Sequence, residues 1–223
     1  SACLVGSEMC IRDRAGAART QERAGAQPRY YNSILAIRPD GTVDGRFDKL
    51  HLVPFGEYLP FQSALERLGI MQLTQLPGGF SAAQERQSGG VEGVPPFLPL
   101  ICYEVIFPNE IRRQPGDAFI LNVTNDAWYG DTPGPYQHLA HARLTAVALG
   151  LPLVRAANSG ISIVTDSAGR DVARIGLGER GTIAAALPAP GGQTVFAQYG
   201  SLVFWLMSAA ALLTVSTLRR SHS

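Results

Sequence analysis

Lysine is all but missing from this 223-residue chain: of 19 basic side chains only Lys49 carries an ammonium, and the rest are arginines. Against 18 acidic residues the formal net charge is +1, so the basic excess on which a nucleic-acid-binding surface depends is absent. Cysteine is nearly as scarce. Cys3, Cys10 and Cys102 form no CxxC pair, which excludes a disulfide-dense scaffold and a four-cysteine zinc site. Neither a P-loop nor a dinucleotide fingerprint occurs. With 46% hydrophobic and 17% charged residues, the chain is neither a disordered polyelectrolyte nor a bundle embedded wholly in lipid. Its length suits one domain with a core, or a domain plus an appendage.

Residues 1–28 show no apolar period and mix Arg with Gly and Ala, the pattern of a surface loop or disordered lead-in. Within them residues 1–14 differ in character from the rest of the chain, resemble translated adapter sequence, and are set aside from fold reasoning. From Tyr30 the pattern becomes regular. Residues 31–37 read as a strand, Arg38-Pro-Asp-Gly41 as a turn, and 42–49 as the returning strand. Phe61, Leu65 and Leu68 give helical spacing over 60–70, and 77–96 reads as a loop. Apolar runs at 97–103 and 118–124 suit buried strands. An Ala-rich helix over 136–150 presents Leu139, Ala142, Val147 and Leu149, and ends at Gly150-Leu-Pro152. Short strands come after it at 153–157, 161–165, 172–175 and 182–186. Strands and helices interleave, so the class is α/β.

The C-terminus differs in kind. No charged side chain occurs from Gly181 to Leu218, and the apolar run 201–218 is followed at once by Arg219 and Arg220. A run of about 18 to 20 uncharged, mainly apolar residues has the length of a membrane-crossing helix. Tyr199 and Trp205 are placed as interfacial aromatics, and the arginine pair favours the cytoplasmic side. The segment 199–218 is therefore expected to span a membrane, with 219–223 as a cytoplasmic tail. A buried C-terminal core helix is the competing assignment.

Chemistry concentrates on few residues. Cys102 closes an apolar strand, where a rigid β-strand end presents a side chain and the next turn frees backbone N–H groups. A lone cysteine is more often structural, yet Lys49, the one lysine, stands in Lys49-Leu-His-Leu-Val-Pro-Phe-Gly-Glu57. A compact ammonium favours a thiolate and offers three rotatable donors to an oxyanion. His138 and His141, three apart on the helix, have no acidic or third imidazole partner at metal-site spacing and read as core or capping hydrogen-bonders. Asp126 reads as a turn former.

Five blocks, Lys49-Leu-His-Leu-Val-Pro-Phe-Gly-Glu57, Ile101-Cys-Tyr-Glu104, Asn125-Asp-Ala-Trp-Tyr-Gly130, Gln137-His138 and Arg155-Ala-Ala-Asn-Ser-Gly160, resemble in order and spacing the nitrilase, or carbon-nitrogen hydrolase, superfamily. Within it they resemble the membrane branch, the apolipoprotein N-acyltransferases. The resemblance implies an αββα sandwich, of which 29–190 is the C-terminal part, followed by one transmembrane helix. It also implies a Glu-Lys-Cys triad, with Cys102 as nucleophile and Lys49 as its lysine. Glu57, Glu104 and Tyr103 fall on supporting positions, and Trp128 on an aromatic loop near the substrate entrance. The triad glutamate is expected upstream of the Tyr30 strand, where Glu8 and Glu22 stand in unsuitable contexts. The chain thus reads as a C-terminal fragment, inactive by itself.

The implied reaction acylates the α-amino group of the diacylglyceryl-modified N-terminal cysteine of apolipoproteins. It draws the acyl chain from a phospholipid through a thioester on Cys102, without metal or organic cofactor. The implied place is the bacterial inner membrane with the catalytic domain on the periplasmic side, and a monomer is expected. Two other readings remain open from the residues: a soluble-type nitrilase or amidase acting on a small amide, and a non-catalytic membrane-anchored module.

Overall fold

A computed structural model describes residues 13–23, 25–61, 79–86, 88–91 and 93–221. Most of the helix expected over 60–70 lies outside the described residues, as do residues 1–12. Strands β1 (Asp13–Arg23), β2 (Ala26–Ile37) and β3 (Val43–Asp48) form one antiparallel sheet in that order. A second, mixed sheet has the order β4 (Gly89–Val91), β5 (Val94–Ile101), β6 (Phe119–Asn125), β7 (Leu153–Asn158), β8 (Ser162–Thr165), β9 (Asp171–Ile175). Its centre, β5-β6-β7, is parallel and both flanks are antiparallel.

Period-2 alternation on the central strands sorts the core into two layers. From β5 and β6, Phe97, Ile101, Phe119 and Leu121 point between the sheets, where they meet Ile34, Ala36 and Phe47. Leu98, Leu100 and Ile120 point the other way, onto helix α1 (Gly134–Leu149), and meet Leu139, Ala142, Ala146 and Leu149. The helix ends where Gly150 takes φ 65, as a left-handed cap requires. Val147, expected on the buried face, is 38% exposed; it lies one residue past the 142–145–146–149 stripe and falls on the outer side.

Several expectations are corrected. The lead-in assigned to 1–28 is strand from residue 13 onward, pairing from Asp13↔Ile37 to Arg23↔Ala26. β1 escapes pattern reading because it has no alternating large apolar residues. The backbone ladder holds it, together with Arg19, which bonds Asp48 and lies 4.3 Å over the Tyr31 ring. Part of the loop expected over 77–96 is the β4–β5 hairpin. The expected strand at 182–186 has no regular structure.

The expected transmembrane segment 199–218 is not one helix. Gly200, with φ 58, separates α2 (Val195–Tyr199) from α3 (Leu202–Ser221). Among the described residues no helix is long and apolar enough to cross a membrane. Hydroxyls of Ser208, Thr214, Ser216 and Thr217 interrupt the apolar surface of α3 and bond back to carbonyls of their own helix. Its large apolar side chains, Phe204, Trp205, Leu206, Met207, Leu212 and Leu213 among them, are exposed.

Candidate active site

The parallel strands β5, β6 and β7 end on the same side, and the turns beyond them build one wall of a cavity of about 1390 Å³. Ligands in such sheets bind beyond the carboxyl ends of the strands. Cys102, Tyr103, Trp128, Lys49 and Glu57 all line this cavity, whereas Glu104 does not.

Cys102 opens the 3-10 turn Cys102–Ile106 directly after β5 and takes φ 51. The left-handed region is unfavourable for a residue with a Cβ, and surrounding contacts must hold it there. The thiol is free and half-buried. Glu104, 1% exposed, secures the turn from below. Its Oε2 accepts from Ile101 N at 2.7 Å, and its Oε1 accepts from Leu50 N at 2.9 Å, His51 N at 3.1 Å and Arg86 Nη2 at 3.0 Å. One carboxylate therefore ties the Cys102 turn to the backbone beside Lys49.

Lys49 directly follows β3 and is 1% exposed. Its amide donates to Asn32 O at 2.8 Å and its carbonyl accepts from Ala83 N at 2.9 Å, which fixes the residue from both sides. Lys49 Nζ donates to Glu57 Oε2 at 2.6 Å. Val53 N donates to the same oxygen at 2.8 Å, and Asn32 Nδ2 donates to Oε1 at 2.7 Å. Among the described residues the Lys49 ammonium has one carboxylate partner, Glu57, which leaves two further N–H donors for a group in the cavity. Trp128 is 65% exposed at the rim. Tyr103 packs edge-on to Phe107 with ring centroids 5.1 Å apart. Glu22, at the end of β1, is exposed and does not line the cavity; Glu8 lies outside the described residues.

A second polar cluster lies beneath Cys102; His138 is the buried hydrogen-bonder expected, Asp126 does more than form a turn, and Asn122 and Arg155 were given no role by the sequence. In the β6–β7 register Asn122 stands opposite Arg155, and the Arg155 Nη1 group donates to Asn122 Oδ1. Arg155 Nη2 donates to Asp126 Oδ2 at 2.7 Å, and His138 Nδ1 lies 2.9 Å from Asp126 Oδ1. All four residues are buried, at 2% exposure or less. Burial pushes the Asp126 carboxyl up, but the His138 hydrogen bond and the charges of Arg155 and His138 outweigh it and hold it below its ordinary value. Burial lowers the Arg155 guanidinium despite Asp126. Tyr129 is pushed up to about 12, chiefly by burial and then by Cys102 and Asp126. A signal was present in the sequence: Arg155 interrupts the apolar run Leu153-Val-Arg-Ala-Ala, and a cation inside a buried strand requires an anion. His141, three residues along the helix from His138, is exposed and points elsewhere.

A cysteine at a strand end, sharing a cavity with a carboxylate-held lysine, is an arrangement whose chemistry suits thiol-dependent acyl transfer or hydrolysis. The carbon-nitrogen hydrolase profile matches residues 14–195, and the chain belongs to that family. Over 195 residues it is 49% identical to the apolipoprotein N-acyltransferase of Rhodopseudomonas palustris, covering 86% of this chain and 36% of that protein. Similar relatives of the same name come from Bradyrhizobium diazoefficiens, at 51% over 186 residues (83% and 35% covered), and Brucella melitensis, at 46% over 215 residues (93% and 40%). The chain thus spans somewhat more than a third of these relatives. Among solved structures, a carbon-nitrogen hydrolase from Helicobacter pylori matches with TM-score 0.53 and 16% identity (76% and 60% covered). The glutamine-dependent NAD+ synthetase of Acinetobacter baumannii matches with TM-score 0.57 and 19% identity (77% and 30%). These two show the fold.

Proposed function

We propose that this chain is the C-terminal part of the catalytic unit of an apolipoprotein N-acyltransferase, in which Cys102 carries the acyl group and Lys49 stabilises the oxyanion. The observation that carries the reading is the opening of Cys102 and the Glu57-held Lys49 onto one cavity, in a chain 46–51% identical to proteins of that name.

The Cys102 thiolate attacks the ester carbonyl of a phospholipid. The oxyanion of the tetrahedral intermediate meets the Lys49 ammonium, the C–O bond breaks, and the lysophospholipid leaves as an alcohol after taking a proton. The α-amino group of a diacylglyceryl-modified N-terminal cysteine then attacks the thioester, forming the amide and returning the thiolate. A glutamate upstream of β2 serves as general base, taking the thiol proton and later the ammonium proton. Glu57 is not that base, because Lys49, Asn32 and the Val53 amide already occupy its two oxygens.

The exposed apolar side chains of α3 fit an anchor in lipid, followed by Arg219 and Arg220 on the cytoplasmic side of the inner membrane. In this reading the sheets lie on the periplasmic side, where a lipid-borne donor and acceptor meet the exposed Trp128. One chain suffices for the chemistry, and no metal or organic cofactor takes part.

The test is a chimera in which residues 30–221 replace the matching segment of the Rhodopseudomonas palustris relative, supplied with phospholipid vesicles and a diacylglyceryl-modified lipopeptide. N-acylated lipopeptide, lost in Cys102→Ala, is the expected product. Transfer that survives Cys102→Ala overturns the reading, and hydrolysis of small amides without transfer replaces it with an amidase.

A further inference from the structure

Cys102 lies in the left-handed region at φ 51, and its backbone carbonyl is gripped from the helix side. His138 Nε2 is 3.2 Å from Cys102 O, and Asn122 Nδ2 is 3.5 Å from the same oxygen while bonding Leu100 O at 3.0 Å. A carbonyl oxygen can only accept, so His138 Nε2 carries the hydrogen in this contact. The other ring nitrogen is fixed as well. Nδ1 lies 2.9 Å from Asp126 Oδ1 and 3.1 Å from Arg155 Nη2.

Each member of the cluster is held by another. Asp126 Oδ1 also accepts from Thr124 Oγ1 at 3.1 Å, Oδ2 accepts from Arg155, and Arg155 is gripped by Asn122. The turn after β7 closes over the carboxylate: a Cβ at Gly160 would stand 2.3 Å from Asp126 Oδ2, so only glycine permits the approach. Strand β6 and helix α1 therefore reach the Cys102 carbonyl oxygen directly, through Asn122 and His138, and strand β7 holds both in place through Arg155.

We propose that Asp126, His138, Arg155 and Asn122 act as positioning residues that clamp the Cys102 carbonyl, hold the nucleophile in its left-handed conformation and keep its thiol facing the Lys49 side of the cavity. The inference rests on the assignment of Cys102 as nucleophile. Asp126, His138 and Asn122 do not line the cavity, and Arg155 reaches its wall while both its Nη groups are bonded to Asn122 and Asp126. A nucleophile displaced by about 1 Å loses on the order of 100-fold in rate, so a rigid carbonyl anchor in a disfavoured conformation has a direct kinetic purpose.

The test uses the intact 223-residue chain and measures alkylation of Cys102 by iodoacetamide, with peptide mass spectrometry separating it from Cys3 and Cys10. His138→Leu removes the donor to the carbonyl and is expected to slow Cys102 alkylation about 10-fold. His138→Gln, whose amide reaches a similar distance and can donate, restores most of the rate. Asp126→Asn frees the ring and gives an intermediate rate, which keeps the test decisive should His138→Leu fail to fold. Leu149→Ala, a core truncation at the far end of α1, eleven residues from His138, lowers stability with the alkylation rate unchanged, so a general loss of structure does not mimic the effect. An unchanged or faster rate in folded His138→Leu or Asp126→Asn overturns the proposal. Failure of the nucleophile assignment is read separately, as acyl transfer that persists in the Cys102→Ala chimera.

Discussion

Glu57 and Glu104 are both buried carboxylates within a few residues of the proposed machinery, yet the structure sets them to different tasks. Glu57 lines the cavity and spends one oxygen on the only ammonium in the chain. Glu104 stays out of the cavity and spends both oxygens on three backbone amides and Arg86. The first sets the electrostatics that a reacting carbonyl would meet; the second holds two loops in register so that the site exists. What separates them is the partner, a charge open to ligand in one case and the backbone in the other.

The contrast breaks most visibly at Glu104. Glu104→Ala leaves Arg86 without its carboxylate and orphans the amides of Leu50, His51 and Ile101. Removing one partner of a buried pair costs about 3 to 5 kcal/mol, and urea unfolding of the variant should show a loss of that size. A loss below about 1 kcal/mol, the worth of an ordinary hydrogen bond, would deny Glu104 its anchoring role.

On the other side of the comparison, Lys49→Arg keeps the charge but replaces a compact ammonium with a planar fork in a site shaped by Glu57 and Asn32. In the chimera, kcat should fall by about 100-fold to 1000-fold, the cost of losing one oxyanion donor, while thermal unfolding shows a smaller change than Glu104→Ala. Near-normal turnover would remove the oxyanion role from Lys49.

The cluster under Cys102 sharpens the comparison through pH. Asp126 is held below its ordinary value, so its contribution to stability is present above the unfolded carboxylate pKa, near 4, and is lost as pH falls through the folded value. Asp126→Asn, which keeps the shape but not the charge, should cost about 1.5 to 3 kcal/mol at neutral pH. Unfolding measured across acid pH should show that gap closing only below about pH 4. A gap that is constant with pH would mean the carboxylate charge does not stabilise the fold.

The central strands and the main helix were legible from the sequence because β5 and β6 are continuous apolar runs and α1 carries Leu139, Ala142 and Leu149 at helical spacing, with Val147 alone falling outside the buried face. Cys102, Lys49, Glu57, Tyr103 and Trp128 were legible because rare residues stood in recognisable blocks, and the cavity brings all five together. β1 was not legible, since a strand held mainly by its backbone ladder and an Arg19–Asp48 pair leaves little apolar pattern to read. Nor was the distinction between Glu57 and Glu104, because both come after apolar or turn segments and only tertiary contacts assign their partners. The Asp126–His138–Arg155 cluster joins residues 12 and 29 positions apart, a separation at which local spacing carries no information.

The smallest effect on stability is expected at Trp128. Its side chain is 65% exposed at the cavity rim and stands in the short 3-10 turn opened by Asp126, which Asn125 caps by accepting from the Ala127 amide. That cap does not use the indole, so Trp128→Ala should change unfolding free energy by no more than about 0.5 kcal/mol, the usual range for an exposed substitution. An indole left in water at the mouth of a cavity has its apolar surface available to an acyl chain or a lipid interface. In the chimera the variant should therefore raise KM for vesicle-borne donor while leaving kcat close to that of the parent, the signature of lost binding common to ground and transition states. A drop in kcat without a change in KM would move Trp128 from the entrance into the chemistry and erase the division between rim and reacting centre that Glu57 and Glu104 define from the inside.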